Sequence, residues 1–214
     1  MRGLRRLHEE VGFANFWDVD HAKTTPNFRS DADRVDWNFY QQLRSGGLGL
    51  QPRYYHRDDE YFAFAREQNG LPGGDQLEIL SPTPEIVRSC NARQVSNDLS
   101  YVLRVSHAGR SVLLTGDVEA STWNELERYY GPALKNDVLQ ASHHGRDTGY
   151  HLNSLKLINP STIVVSVGRK PETDASRKYR AQCPRIFSTR YYGNLTLLID
   201  DYGNMNWTAQ RNGK

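Results

Sequence analysis

Residues 96–121, SNDLSYVLRVSHAGRSVLLTGDVEAS, decide how this chain folds. The runs 101–105 and 111–115 are short and rich in Val, Leu and Tyr, and His107-Ala108-Gly109-Arg110 joins them, so the pair reads as a β-hairpin. Thr115-Gly116 then leads to Asp117, ahead of a helix expected near 119–130. Asp117 therefore sits where a strand ends and a helix begins, on the rim of a sheet. An aspartate in that place has two readings. It can cap the helix by accepting backbone N–H bonds, or it can hold its carboxylate out to a ligand.

Downstream the chain alternates. Strands are expected at 138–141, 162–167, Phe187 and 195–199, with helices near 150–158 and 175–183 between them. Upstream, a strand at 76–80 runs into SPTP, whose prolines cannot continue a ladder or a helix. A hairpin followed by strand-helix repetition predicts an α/β fold with a mixed sheet covered by helices. The first 74 residues are helical and irregular. Leu4, Leu7 and Val11 form one apolar stripe on an uncapped helix, 15–27 is irregular, and Ser30 with Asp33 caps a helix carrying Val35, Phe39 and Leu43 up to Gly46-Gly47. Aromatic residues mix with charges over 51–66, and 69–74 is a glycine-rich loop. Val35, Phe39, Leu43, Leu113, Leu139, Val164 and Val165 are expected in the core.

A chain of 214 residues buries one good core, so 1–214 is expected to be a single domain, with 75–214 its well-marked part. Mean hydropathy of −0.73 with 11% aromatic residues describes a folded, water-soluble protein. No window approaches the roughly 20 apolar residues of a membrane span, and MRGLRRLHEE lacks the apolar core of a signal peptide, so a cytoplasmic protein without a membrane partner is expected. Cys90 and Cys183 read as reduced, non-catalytic thiols. Net charge is only +2, yet Arg169, Lys170, Arg177, Lys178, Arg180, Arg185 and Arg190 crowd one stretch against Glu172 and Asp174. Such a run either meets phosphates or solvates a helix face.

His143 and His144 follow the strand at 138–141 and precede Gly145, one strand-helix unit after Asp117. Imidazole and carboxylate are ligands that zinc, manganese and iron accept. Two strand ends carrying them side by side point to a divalent-metal site built from Asp117, His143 and His144.

At this point the sequence resembles the metallo-β-lactamase fold, and within it the hydrolase domain of ComEC-type competence DNA-uptake proteins. The carrying segments are 96–121 with LLTGD, NDVLQASHHGRD at 136–147, INPSTIVVSVG at 158–168 and STRYYGNLTLLID at 188–200. They cover about half the chain, in the family's order. The resemblance implies an αββα sandwich with mixed sheets, incomplete here at the N-terminus. It implies that Asp117 bridges up to two divalent ions, zinc or manganese, and that His143 ligates one of them. Asn97 or Asp98 falls where many relatives place a further histidine ligand. Three departures stand out. Arg146 replaces the serine that usually follows HHG, and KPETDASRKY replaces a His-Pro segment. The front motif H-x-[HD]-x-D-H has no complete copy. Its nearest match, Phe16-Trp17-Asp18-Val19-Asp20-His21, puts Phe where the first histidine belongs. Either this match is accidental and the chain starts after the missing ligands, or Asp18, Asp20 and His21 are those ligands.

The function expected from the resemblance is metal-dependent hydrolysis of a phosphodiester, in a nucleic acid or a nucleotide. Asp117 and His143 would be its catalytic residues. Asp174, Ser176 and Lys178 either approach the substrate or merely start and solvate a helix. The opposing reading is a truncated or degenerate, catalytically inactive relative with a structural or binding role. A pure nucleic-acid-binding module ranks last, because the basic run has few companions elsewhere.

Overall fold

The computed structural model describes residues 3–59, 75–169 and 171–213, so Lys170 and the aromatic and glycine-rich stretch over 60–74 lie outside the described residues. The chain divides into two compact units, Met1–Tyr55 and His56–Lys214.

In the first unit, α1 (Leu4–Val11) and α2 (Asp31–Arg44) accompany a two-stranded parallel sheet of β1 (Phe16–Asp18) and β2 (Pro52–Tyr54). The stretch expected to be irregular therefore contains a strand. Ser30 caps α2 as its sequence predicts, its hydroxyl accepting the Asp33 N–H at 3.2 Å. The buried face of α2 is Asp36, Trp37, Phe39, Tyr40 and Leu43, and Val35 is 38% exposed. The 35/39/43 spacing named the right helix and two residues of its buried face, Phe39 and Leu43, but not the third, since Asp36, Trp37 and Tyr40 turn inward in place of Val35. Leu7 and Val11 are likewise exposed. α1 lacks a cap of its own, and Asp36 supplies one: its Oδ2 accepts the Gly3 N–H at 2.7 Å.

The second unit is a six-stranded mixed sheet flanked by helices. Its strands are β3 (Asp75–Ser81), β4 (Val102–His107), β5 (Arg110–Leu114), β6 (Val138–Gln140), β7 (Thr162–Val165) and β8 (Ile186–Ser188), lying side by side in that order. β3, β4 and β5 are antiparallel; β5 through β8 are parallel. The β4–β5 hairpin closes through Ala108 and Gly109, both at positive φ (46° and 74°), the backbone twist a two-residue turn requires. The parallel strands are linked through α4 (Ala120–Tyr130), α5 (Leu152–Ile158) and α6 (Ser176–Gln182). Leu113, Leu139 and Ile163 stand opposite one another on β5, β6 and β7 and are fully buried, while Val164 on the alternate face is half-buried.

Three elements of the second unit escaped the sequence pattern. α3 (Pro84–Arg93) starts within SPTP itself, with Thr83 as N-cap and Pro84 in the first turn, where its missing N–H has no partner to lose. A short α7 (Thr189–Tyr192) follows β8, and β10 (Met205–Ala209) pairs antiparallel with β9 (Leu195–Ile199), the strand expected at 195–199, in a separate two-stranded sheet.

The N-terminus of α4 is capped from a distance. Its N-cap residue, Glu119, makes no capping bond with its own side chain. Instead Asp98, 5% exposed, accepts the Glu119 N–H at 2.8 Å and the Thr122 N–H at 3.3 Å. Removing that carboxylate strands two backbone donors, one buried and one partly buried, which costs about 1–3 kcal/mol. In urea denaturation, Asp98→Ala is expected to lose that much and Leu113→Ala about 2–5 kcal/mol, whereas Val35→Ala should stay within about 0.5 kcal/mol. A Val35→Ala loss as large as that of Leu113→Ala would contradict the assigned α2 face.

Candidate active site

Two strand ends and the turn after each build the site. At the end of β5, Thr115 is buried and its hydroxyl donates to the Gln140 carbonyl at 2.9 Å, tying this turn to β6. Gly116 has φ 55°, and a Cβ there would lie 2.7 Å from Cβ of Ser100, so glycine is required on both counts. The same Ser100 receives the Asp117 N–H on its Oγ at 3.0 Å. Because Asp98 takes the capping work on α4, the Asp117 side chain does not: it stands 42% exposed at the rim.

At the end of β6, Ser142–Gly145 forms a tight turn with three successive left-handed residues: His143 at φ 48°, His144 at φ 58° and Gly145 at φ 76°. For the two histidines such backbone costs about 1–3 kcal/mol each, and the surroundings hold it in place. The His143 N–H donates to the Gly116 carbonyl at 3.0 Å, the Ser142 hydroxyl donates to the Val118 carbonyl at 2.5 Å, and Gly145 accepts the Ala175 N–H at 2.9 Å. A side chain at Gly145 would strike Val165. The turn after HHG is thereby docked onto the turn after LLTGD.

The imidazole that approaches Asp117 is that of His144, with Nε2 3.7 Å from Oδ1. Its Nδ1 lies 2.7 Å from the Ser166 carbonyl, which can only accept, so Nδ1 carries a proton, and in the neutral form of the ring the lone pair is on Nε2. His143 turns its Nδ1 to Glu119 Oε1 at 3.1 Å and to the Thr148 hydroxyl at 2.8 Å. Glu119 in turn accepts from Asn97 Nδ2 at 3.0 Å. Asn97 thus steadies the carboxylate that orients His143, an arrangement in which an outer carboxylate fixes the tautomer of a histidine. Glu119 was missed by sequence reasoning. Its signal was its place two residues after Asp117, at the very start of the helix.

The remaining sequence candidates lie elsewhere. Asp174 accepts from both the hydroxyl and the N–H of Ser176, at 2.6 and 3.2 Å, so these two shape the entry to α6. Lys178 pairs with Asp147 at 3.1 Å. Asp18, Asp20 and His21 belong to the first unit. There Arg44 Nε lies 2.7 Å from Asp18 Oδ2, Tyr40 donates its hydroxyl to Asp18 Oδ1 at 2.8 Å, and His21 Nε2 is 2.6 Å from the same hydroxyl. His21 Nδ1 accepts the Lys23 N–H at 3.0 Å, which occupies both ring nitrogens. Burial, then the neighbouring Arg44 cation, lowers the pKa of His21. Asp20 is exposed. Among the described residues, no three His, Cys, Asp or Glu side chains converge closely enough to hold a metal ion. Among them, too, no helix is long and apolar enough to cross a membrane.

No protein-family model matches the chain. It is 36% identical to recombination protein 2 of Haemophilus influenzae over 96 residues, which is 45% of this chain and 11% of that protein. With competence protein ComA of Neisseria gonorrhoeae it shares 29% identity over 160 residues, 72% of this chain and 22% of the relative. With ComE operon protein 3 of Bacillus subtilis the identity is 31% over 94 residues, 44% of this chain and 11% of the relative. The chain therefore spans at most 22% of the length of these three relatives. At low identity and over part of its length, it is similar to bacterial competence proteins.

Proposed function

We propose that this chain hydrolyses phosphodiester bonds at the rim formed by Asp117, His143 and His144, using a divalent ion. The observation that carries the reading is the 3.7 Å approach of His144 Nε2 to Asp117 Oδ1. With Nδ1 committed as donor to Ser166, a lone pair faces a carboxylate, which is repulsive unless a proton or a cation lies between them. The donor set, one carboxylate and one imidazole, suits zinc or manganese, and two contacts of about 2.0–2.1 Å can span the gap. Two donors fit one ion with open positions. A second ion would call for about six to eight donors in all, more than the described rim brings together.

A divalent ion in that place supplies Lewis-acid stabilisation of charge developing on a phosphoryl oxygen. The chain's own residues do the rest. Asp117 and His144 would hold and orient the ion; Glu119 accepts a hydrogen bond from His143 Nδ1–H, leaving Nε2 of that ring free to take a proton from an attacking water. The competence and recombination names of the relatives, together with the resemblance to DNA-uptake hydrolase domains, favour nucleic acid as the substrate.

One observation favours a second reading, binding without cleavage: the described donors are few for tight metal retention. Elemental analysis and turnover separate the two. With Mn²⁺ or Zn²⁺, the hydrolase reading expects about one ion per chain, slow cleavage of single-stranded DNA and of bis(p-nitrophenyl) phosphate, and loss of both activities in Asp117→Ala and His144→Ala. His21→Ala should leave turnover unchanged, since its ring is saturated within the first unit. DNA binding with no metal and no turnover would establish the second reading. Turnover indifferent to Asp117→Ala and His144→Ala would remove the rim from the reaction.

A further inference from the structure

A cleft of about 690 Å³ opens beside the rim, with His144 in its wall. Arg146 lines it from the turn after HHG, and Arg169 with Ser166 from the segment after β7; Thr173 and Glu172 line it from the stretch before α6. The two arginines are exposed, and among the described residues neither guanidinium has a hydrogen-bond or ion-pair partner within the chain. Arg146 is nonetheless fixed at its backbone, since its N–H donates to the His143 carbonyl at 3.1 Å and it bridges to Asp174. Glu172 is the single carboxylate among the cleft's described lining residues. Val167 and Pro171 are shared with a second hollow, where Arg180, Arg190 and Tyr191 add two more guanidiniums and an exposed ring.

We infer that this cleft holds the backbone of a nucleic-acid strand next to the reacting phosphate, with Arg146 and Arg169 as its phosphate-binding residues. The inference rests on the hydrolase reading for the identity of the ligand. Its physical basis is independent. A planar guanidinium offers paired donors that match two phosphate oxygens, and two such exposed groups, left without an internal partner among the described residues and flanking hydroxyls, form an open anion site. The continuation past Pro171 into a hollow with Arg190 packed on Tyr191, 5.6 Å from the ring centroid, gives a strand both charge to follow and a face on which a base can stack. A lone phosphate would use the first cleft only.

The test is binding measured without turnover. A fluorescein-labelled oligothymidylate of about 15 nucleotides, within the span one such binding surface covers, is titrated by anisotropy in EDTA at several salt concentrations. Replacing both Arg146 and Arg169 by Ala should weaken binding at least several-fold and flatten the salt dependence by about 1.4 in log K against log salt, about 0.7 for each single-strand phosphate no longer neutralised. The double Lys variant, which keeps the charge, should retain the slope. Arg5→Ala with Arg6→Ala, on α1, should change neither quantity. An unaltered slope in the Ala variant, or a Lys variant as flat as the Ala one, overturns the proposal. So does thymidine monophosphate competing as well as the oligomer, which would make the cleft a single-phosphate site. Because metal is absent throughout, these outcomes stand apart from the hydrolysis assay: Asp117→Ala should abolish cleavage without weakening this binding.

Discussion

The carbonyl of Gly116 is the point on which the site depends. It accepts the His143 N–H and lies within 3.4 Å of the Ser142 hydroxyl, so the turn after β6 is bonded to the turn after β5. In a parallel sheet, neighbouring strands carry their C-terminal ends to the same edge, and side chains from two strands converge there only if the two turns are locked together. Gly116 permits that lock because its φ of 55° aims the carbonyl across the gap, and because any Cβ would collide with Ser100. The left-handed histidines are the counterpart. Their strained backbone lifts both imidazoles out of the line of β6, and it persists because the hydrogen bonds around it determine it.

The division of labour between two aspartates follows from the same lock. A helix starting three residues after Asp117 exposes unpaired N–H groups that would draw the nearest carboxylate. Asp98, buried and reaching in from the segment before β4, satisfies the Glu119 and Thr122 N–H groups. Asp117 is therefore spared for the rim. Glu119 is likewise released from capping, and its carboxylate serves as the hinge between Asn97 and His143.

Legibility in the sequence tracked the range of the interaction concerned. The hairpin, the alternation after it and the strand-terminal positions of Asp117, His143 and His144 were readable because period and turn chemistry are local. The buried positions of Leu113, Leu139 and Val165 came from the same pattern. Helix α3 was not readable as such, because proline was taken as a stop although Thr83-Pro84 is also a start. Val35 was misassigned because a three-residue i, i+4 pattern cannot distinguish adjacent faces when Asp36 and Trp37 are the residues that turn inward. The roles of Asp98, Asn97 and Glu119 depend on contacts more than twenty residues apart, and nothing local announces those.

The two histidine-aspartate groups of the chain differ in a way that bears on what each can do. Around Asp18 every strong group is answered from within: Arg44 neutralises the carboxylate, Tyr40 bridges it to His21, and the backbone of Lys23 takes the other ring nitrogen. A cation entering there would have to displace Arg44 and break the tyrosine bridge, so the group resists a ligand and stabilises its own unit. At the rim the accounting stays open. Among the described residues, Asp117 has no internal cation at contact distance other than the His144 ring, and that ring has already given its proton-bearing nitrogen to Ser166. Polar groups held in place by their neighbours, yet incompletely satisfied by them, are where binding of a ligand gains the most free energy. That asymmetry, more than the D-x-D-H letters at 18–21, is what favours the sheet edge as the place for the proposed chemistry.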